Sequence, residues 1–199
     1  MSRTLIAIVI AWAASYLVLR RARAWLLSYV VGAVGFTLIS VYIVRGSSFE
    51  TLVEVAGARL THYICNMVGV PTKVFTNAPG TLLVLIVYQV KGWTAVEMDI
   101  ECSGMLEMAV FSGLVLFFEG FSYARRLGIL ASGLALTYAS NVLRVMIIVL
   151  MIHRGGKSAI YLAHTVVGRA VFFAMIISLY WYAFTKPTLE LIRRRLAED

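Results

Sequence analysis

Apolar positions in this chain gather into long unbroken runs instead of spreading at helical or strand spacing. The runs cover residues 4–19, 24–44, 105–118, 127–152 and 158–184. A bilayer core demands about 20 consecutive apolar residues from a helix that crosses it, so each run is expected to be a membrane span. The first, stopped by "RRAR" (20–23), is short and resembles a signal peptide with "AWAAS" (11–15) as a cleavage site. It stays apolar past that point and then meets three arginines, which suits a retained anchor better. Between the second and third runs the pattern changes twice. Residues 47–69 are apolar overall yet carry Glu50, Glu54, Arg59 and His62, which predicts an amphipathic or shallowly inserted helix. Ser48, Thr51 and Glu54 supply helix-start chemistry there, and Gly69 and Pro71 end the helix.

Next, "TLLVLIVYQV" (81–90) is β-branched and follows the turn former "NAPG" (77–80), and "KGW" (91–93) can reverse the chain. "TAVEMDIE" (94–101) then alternates, with Val96, Met98 and Ile100 on one face and Glu97, Asp99 and Glu101 on the other. A period of two with one polar face predicts a surface β-hairpin. The expected fold is an all-α polytopic membrane protein of about five transmembrane helices, one amphipathic helix and a short extracytoplasmic hairpin. It forms a single membrane domain (1–199): two N-terminal spans (1–46), an extracytoplasmic helix and hairpin (47–101), a three-span core (102–184) and a basic tail (185–199).

Composition sharpens the class. The chain is 61% hydrophobic and 14% charged, against about 45–50% and 25% for soluble domains. The net charge of +8 would suggest nucleic acid in a soluble protein. Here the basic residues collect at span ends, where they set orientation, so no nucleic-acid partner is expected and membrane lipids are. Arg20, Arg21, Arg23, Arg125, Arg126 and the tail fall on one side only if residues 47–69 do not cross. That side is then cytoplasmic, the N-terminus lies outside, and the protein is expected in the plasma membrane. The two cysteines make neither a disulfide framework nor a zinc motif, so no metal or cofactor is expected.

This topology brings Cys102 to the outer face at the N-terminus of the third span. Unpaired N–H groups there favour a thiolate, although Asp99 and Glu101 oppose it. A small buried hydrophobe is the plainer reading of this residue. Arg144, inside the fourth span, costs roughly 2.5–3.5 kcal/mol to insert and therefore invites a functional reading. Asn141 shares its helical face. A snorkelling or ion-paired arginine is the structural alternative. His164 lies in the fifth span as either a packing histidine or a base. Arg144 and His164 are equally distant from Arg154 in the "HRGGK" turn (153–157), so an antiparallel pair puts them at one depth. Arg169, five residues past His164, is expected to face elsewhere. His62, Cys65 and His153 fall in surface segments, where a Cys65–Cys102 disulfide is conceivable.

Four pieces in order, "GVP" (69–71), "ECSG" (101–104), "NVLR" (141–144) and "HTVVG" (164–168), resemble the exosortase/archaeosortase family of membrane-embedded cysteine transpeptidases, in a small variant. The resemblance runs from about residue 57 to 180. It implies an enzyme that cleaves the C-terminal sorting signal of an exported protein, a motif followed by an apolar helix and a basic tail. The new carboxyl end passes through a thioester to an amine or lipid-linked acceptor. It also implies Cys102 as nucleophile, Arg144 as essential cation and His164 as third member, with Arg169 in reserve. Glu101, Ser103, Gly104 and Asn141 are supporting candidates, the backbone N–H groups of Ser103 and Gly104 for an oxyanion hole. Two other readings stay open: a small transporter or scaffold, and a cysteine-dependent acyl or lipid transferase.

Overall fold

A computed structural model of the chain describes residues 3–76, 84–89, 92–97 and 100–186, together with residues 189 and 193. Helices α1 (Arg3–Arg21) and α2 (Trp25–Val44) form an antiparallel pair joined through Arg23, whose φ of 57° makes the turn. α3 (Ser48–Met67) follows, then the strands β1 (Thr72–Phe75), β2 (Val84–Gln89) and β3 (Gly92–Glu97). A single helical turn, α4 (Ile100–Ser103), precedes α5 (Met105–Phe117) and the 33-residue α6 (Tyr123–Gly155). The last span runs Lys157–Thr185 and contains a π-helical stretch (Leu162–Val167), α7 (Gly168–Tyr180) and a second π-helical stretch (Trp181–Thr185). Among the described residues, four helices are long and apolar enough to cross a membrane, one fewer than the five spans expected, and α5 is a shorter apolar one. The protein is an all-α polytopic membrane protein, as its apolar runs require.

α5 has 13 residues, about 20 Å, against a hydrocarbon core of about 30 Å. It is packed between α2 and α6. A Cβ on Gly113 would stand 2.6 Å from the Ala33 carbonyl oxygen, so only glycine lets α2 and α5 approach this closely. Thr37 seals the contact by donating to Ala33 O at 2.8 Å and Ala109 O at 3.4 Å. At one end of the bundle, Arg20 and Glu119 pair at 3.6 Å and Arg126 donates to the Phe118 carbonyl at 2.8 Å. The α1–α2 and α5–α6 turns therefore share that end, and α3, the sheet and α4 sit at the other.

α3 buries Glu54, Gly57, Ala58, Thr61 and Cys65, one face at helical spacing, against α6 and β1. Its cap is Ser47, not Ser48: the Ser47 hydroxyl accepts from the Glu50 N–H at 3.3 Å. A left-handed Gly69 follows its end. The expected hairpin is a three-stranded antiparallel sheet, because 72–75 pairs with β2 (Thr72↔Val87, Phe75↔Val84). The β1 stretch is too short to register as a strand by periodicity. β2 and β3 pair from Val84↔Glu97 to Gln89↔Gly92. Leu85, Val87, Thr72 and Thr94 point inward, while Glu97 faces out as its alternation predicts. The predicted strand 94–101 stops at Glu97, since Ile100–Ser103 is helical. Residues 77–83, 90–91 and 98–99, and the tail positions 187–188, 190–192 and 194–199, lie outside the described residues. Leu85 and Val87 join Ala58, Cys65, Cys102, Val145, Ile148, Val149, Ile152 and Ala163 in one core, so sheet and α3 roof the residues described next.

Candidate active site

The site begins with a break in the helix. Gly104 adopts φ +74°, and a Cβ there would lie 3.0 Å from the Asn141 Cβ. Left-handed backbone costs a side-chain-bearing residue about 1–2 kcal/mol, and here packing against α6 penalises it again. The break separates α4 from α5, and Met108 N–H to Gly104 O at 3.0 Å opens the α5 ladder. Cys102 therefore does not sit on the N-terminus of the third span, as its sequence position suggests. It occupies the preceding turn with Glu101, and Gly104 caps the span. Ser103 is buried, and its hydroxyl accepts from the Met105 N–H at 3.3 Å. Asn141 Nδ2 donates to the Cys102 carbonyl at 2.6 Å, tying this turn to α6. Gly104→Ala should thus lower the thermal midpoint in detergent by several degrees and reduce any Cys102-dependent activity in parallel. Unchanged values for both would show that the kink is dispensable.

Cys102 Sγ lies 3.7 Å from His164 Nε2, a sulfur–nitrogen hydrogen-bond distance. The two residues are 62 positions apart in sequence. His164 falls in the π-helical stretch Leu162–Val167. Arg169 lies just beyond that stretch, in α7. It lines a groove together with Arg144, and neither Cys102 nor His164 is among the residues that line it.

Arg144 is 9% exposed and stands one turn beyond Asn141 on α6, with its guanidinium 4.9 Å above the Phe172 ring. Such a stack contributes roughly 0.5–2 kcal/mol, less than the insertion cost of the charge. The groove it enters has a volume of about 760 Å³ and runs between α5 and α7. Glu107, a carboxylate inside an apolar span, lines it as well. Sequence inspection passed over Glu107, although an isolated acid at membrane depth is itself a signal. Asn141 Oδ1 is buried and accepts no hydrogen bond from the described residues.

The remaining candidates lie apart from this cluster. His62 Nδ1 meets the Thr72 hydroxyl at 2.8 Å, and Asn66 accepts from the Thr72 N–H at 3.2 Å, which fastens β1 to α3. His153 ends α6, where a cation suits the helix dipole. Both cysteines are free, so no disulfide joins them. Cys65 is fully buried, and burial pushes its thiol up to about 11. At pH 8 only about one Cys65 in a thousand is then thiolate. A small alkylating reagent at pH 8 should modify Cys102 and leave Cys65 untouched, as read by peptide mass spectrometry. Equal modification of both would remove the distinction.

A protein-family model described as transmembrane exosortase (Exosortase_EpsH) matches residues 1–182. No curated protein and no solved structure matches the chain.

Proposed function

Because the chain belongs to the transmembrane exosortase family, whose members are membrane transpeptidases, we propose that it cleaves C-terminal sorting signals of exported proteins through a Cys102 thioester. It then hands the new C-terminus to an acceptor. The observation that carries this reading is the 3.7 Å approach of Cys102 Sγ to His164 Nε2 across two separate elements. A thiol within reach of an imidazole is the minimum for an activated sulfur nucleophile.

His164 Nε2 takes the thiol proton as Sγ attacks the carbonyl carbon of the scissile peptide bond. The carbonyl π pair moves to oxygen. When the tetrahedral species collapses, the C–N bond breaks and His164 returns its proton to the departing amine, leaving a thioester on Cys102. An amine, or a hydroxyl on a lipid-linked carrier, then attacks the thioester and gives its proton to His164 while the thiol is restored. Arg144 does not serve as a base, since its guanidinium keeps its proton in proteins. Its role is to hold negative charge on sulfur or oxygen in a site where low dielectric strengthens that contact. Arg169 is the reserve for the third member in place of His164. Asn141 holds the Cys102 backbone, and Glu101 precedes the nucleophile in the same turn.

The site opens to the extracytoplasmic side of the plasma membrane. Support comes from Arg20, Arg21, Arg23, Arg125 and Arg126, which gather at the opposite end of the bundle and hold that end in the cytoplasm. Mass spectrometry of Cys102 in protein purified without acceptor tests the reading. A hydroxylamine-sensitive peptide adduct is expected. A fatty acyl adduct would favour a lipid transferase, and no adduct at all would count against a thioester.

A further inference from the structure

The groove that Arg144 and Arg169 line carries a further charged residue, Glu107, to which the reaction assigns no role. α5 contributes Leu106, Glu107 and Val110, α6 contributes Arg144, and α7 contributes Arg169 through Tyr180. At 1.5 Å per residue, the α7 wall from Arg169 to Tyr180 is about 16 Å long. Its far end is closed by aromatic rings: Phe111 lies 5.6 Å from Tyr180 and 6.1 Å from Phe184. Most of the lining is apolar and faces the hydrocarbon region. Glu107 and Arg169 nonetheless stand on opposite walls, and among the described residues no ion pair joins them.

A carboxyl group lining an apolar groove at such depth is costly unless an occupant supplies N–H donors or positive charge. An acyl chain offers neither. A membrane-embedded peptide satisfies its own backbone groups only as a helix, with one exception: the first four N–H groups at its N-terminus point outward and carry the positive end of the dipole. That end matches Glu107. The extended residues just ahead of such a helix present carbonyl oxygens, which match Arg169. We infer that the α5–α7 groove seats the N-terminal turns of the substrate's apolar helix, with Glu107 accepting from its first-turn N–H groups and Arg169 donating to the carbonyls that lead into it.

This seat rests on the transpeptidase reading and extends it to where the substrate helix lies. Cys102 precedes Glu107 by five residues, across the Gly104 break at the start of α5, so the segment just upstream of the seated helix leads toward the end of the bundle that holds the nucleophile. The occupant is a transmembrane helix of another protein, recognised by its N-terminal dipole and apolar flank.

The test uses the full-length chain in the membranes of the cell that makes it. A benzophenone photoprobe is placed at Val110 or Ile176 in the Cys102→Ala background, so that bound substrate is not turned over. The expected adduct is a peptide from a C-terminal apolar segment followed by basic residues. Adducts to acyl chains only, or no adduct, would overturn the seat. In parallel, Val110→Trp, Ile176→Trp and Glu107→Leu are each compared with the unmodified chain. Processing should fall at least tenfold, with the alkylation rate of Cys102 by a small reagent unchanged within twofold. Normal processing in all three variants would discard the seat while leaving the nucleophile assignment standing. Normal processing in Cys102→Ala would instead remove the reading on which the seat depends.

Discussion

Replacing Cys102 with alanine or serine should lower conversion of the sorting signal by at least about 10³-fold, with membrane insertion and yield unchanged. Loss of a nucleophile removes the covalent route altogether, and nothing nearby replaces it: the adjacent Ser103 hydroxyl already accepts from the Met105 N–H at 3.3 Å. Serine keeps the geometry but lacks a thiol's acidity, so a 3.7 Å contact with His164 is not enough to ionise it. The measurement is the ratio of processed to full-length substrate by immunoblot or intact mass. Processing at the original rate in both variants would remove Cys102 from the reaction.

Arg144→Lys should be nearly as severe, with a loss on the order of 10²–10³-fold. Lysine keeps the charge, and the difference lies in shape. The guanidinium carbon sits 4.9 Å from the centre of the Phe172 ring, a contact that a compact ammonium does not reproduce. A contact of this kind also aims the fork of N–H donors, so losing it misdirects the charge as well as weakening its hold. Comparing Arg144→Lys with Arg144→Leu separates the two contributions. Equal losses mean that orientation is everything, and a near-normal lysine variant means that charge alone suffices. Phe172→Leu should reproduce part of the Arg144→Lys loss, because it removes the surface against which the guanidinium is aligned.

Much of the membrane architecture is legible in the residues, because the hydrocarbon core is an undemanding reader. It asks only for length and apolarity, and the runs at 24–44, 127–152 and 158–184 supply both. The amphipathic reading of 47–69 succeeds for a similar reason: a helix packed on one face must bury small or apolar residues three or four apart, and α3 does so from Glu54 to Cys65. The chemistry of the candidate site was half legible. Cys102, Asn141 and His164 stood out as reactive or polar side chains in apolar surroundings, and they meet. Glu107 did not, because a single acid among apolar neighbours looks like an exception until the cavity that receives it is known.

The order of apolar runs and basic clusters dictated the membrane class and which turns share an end, since both follow from transfer energies counted along the chain. Direction within the bundle obeys different physics. The π-helical stretch that carries His164, the glycine kink held against Asn141, and the third strand at 72–75 depend on hydrogen-bond registers. Those registers are settled by neighbouring elements, so no count of residues along one helix reveals them until the helices are packed together.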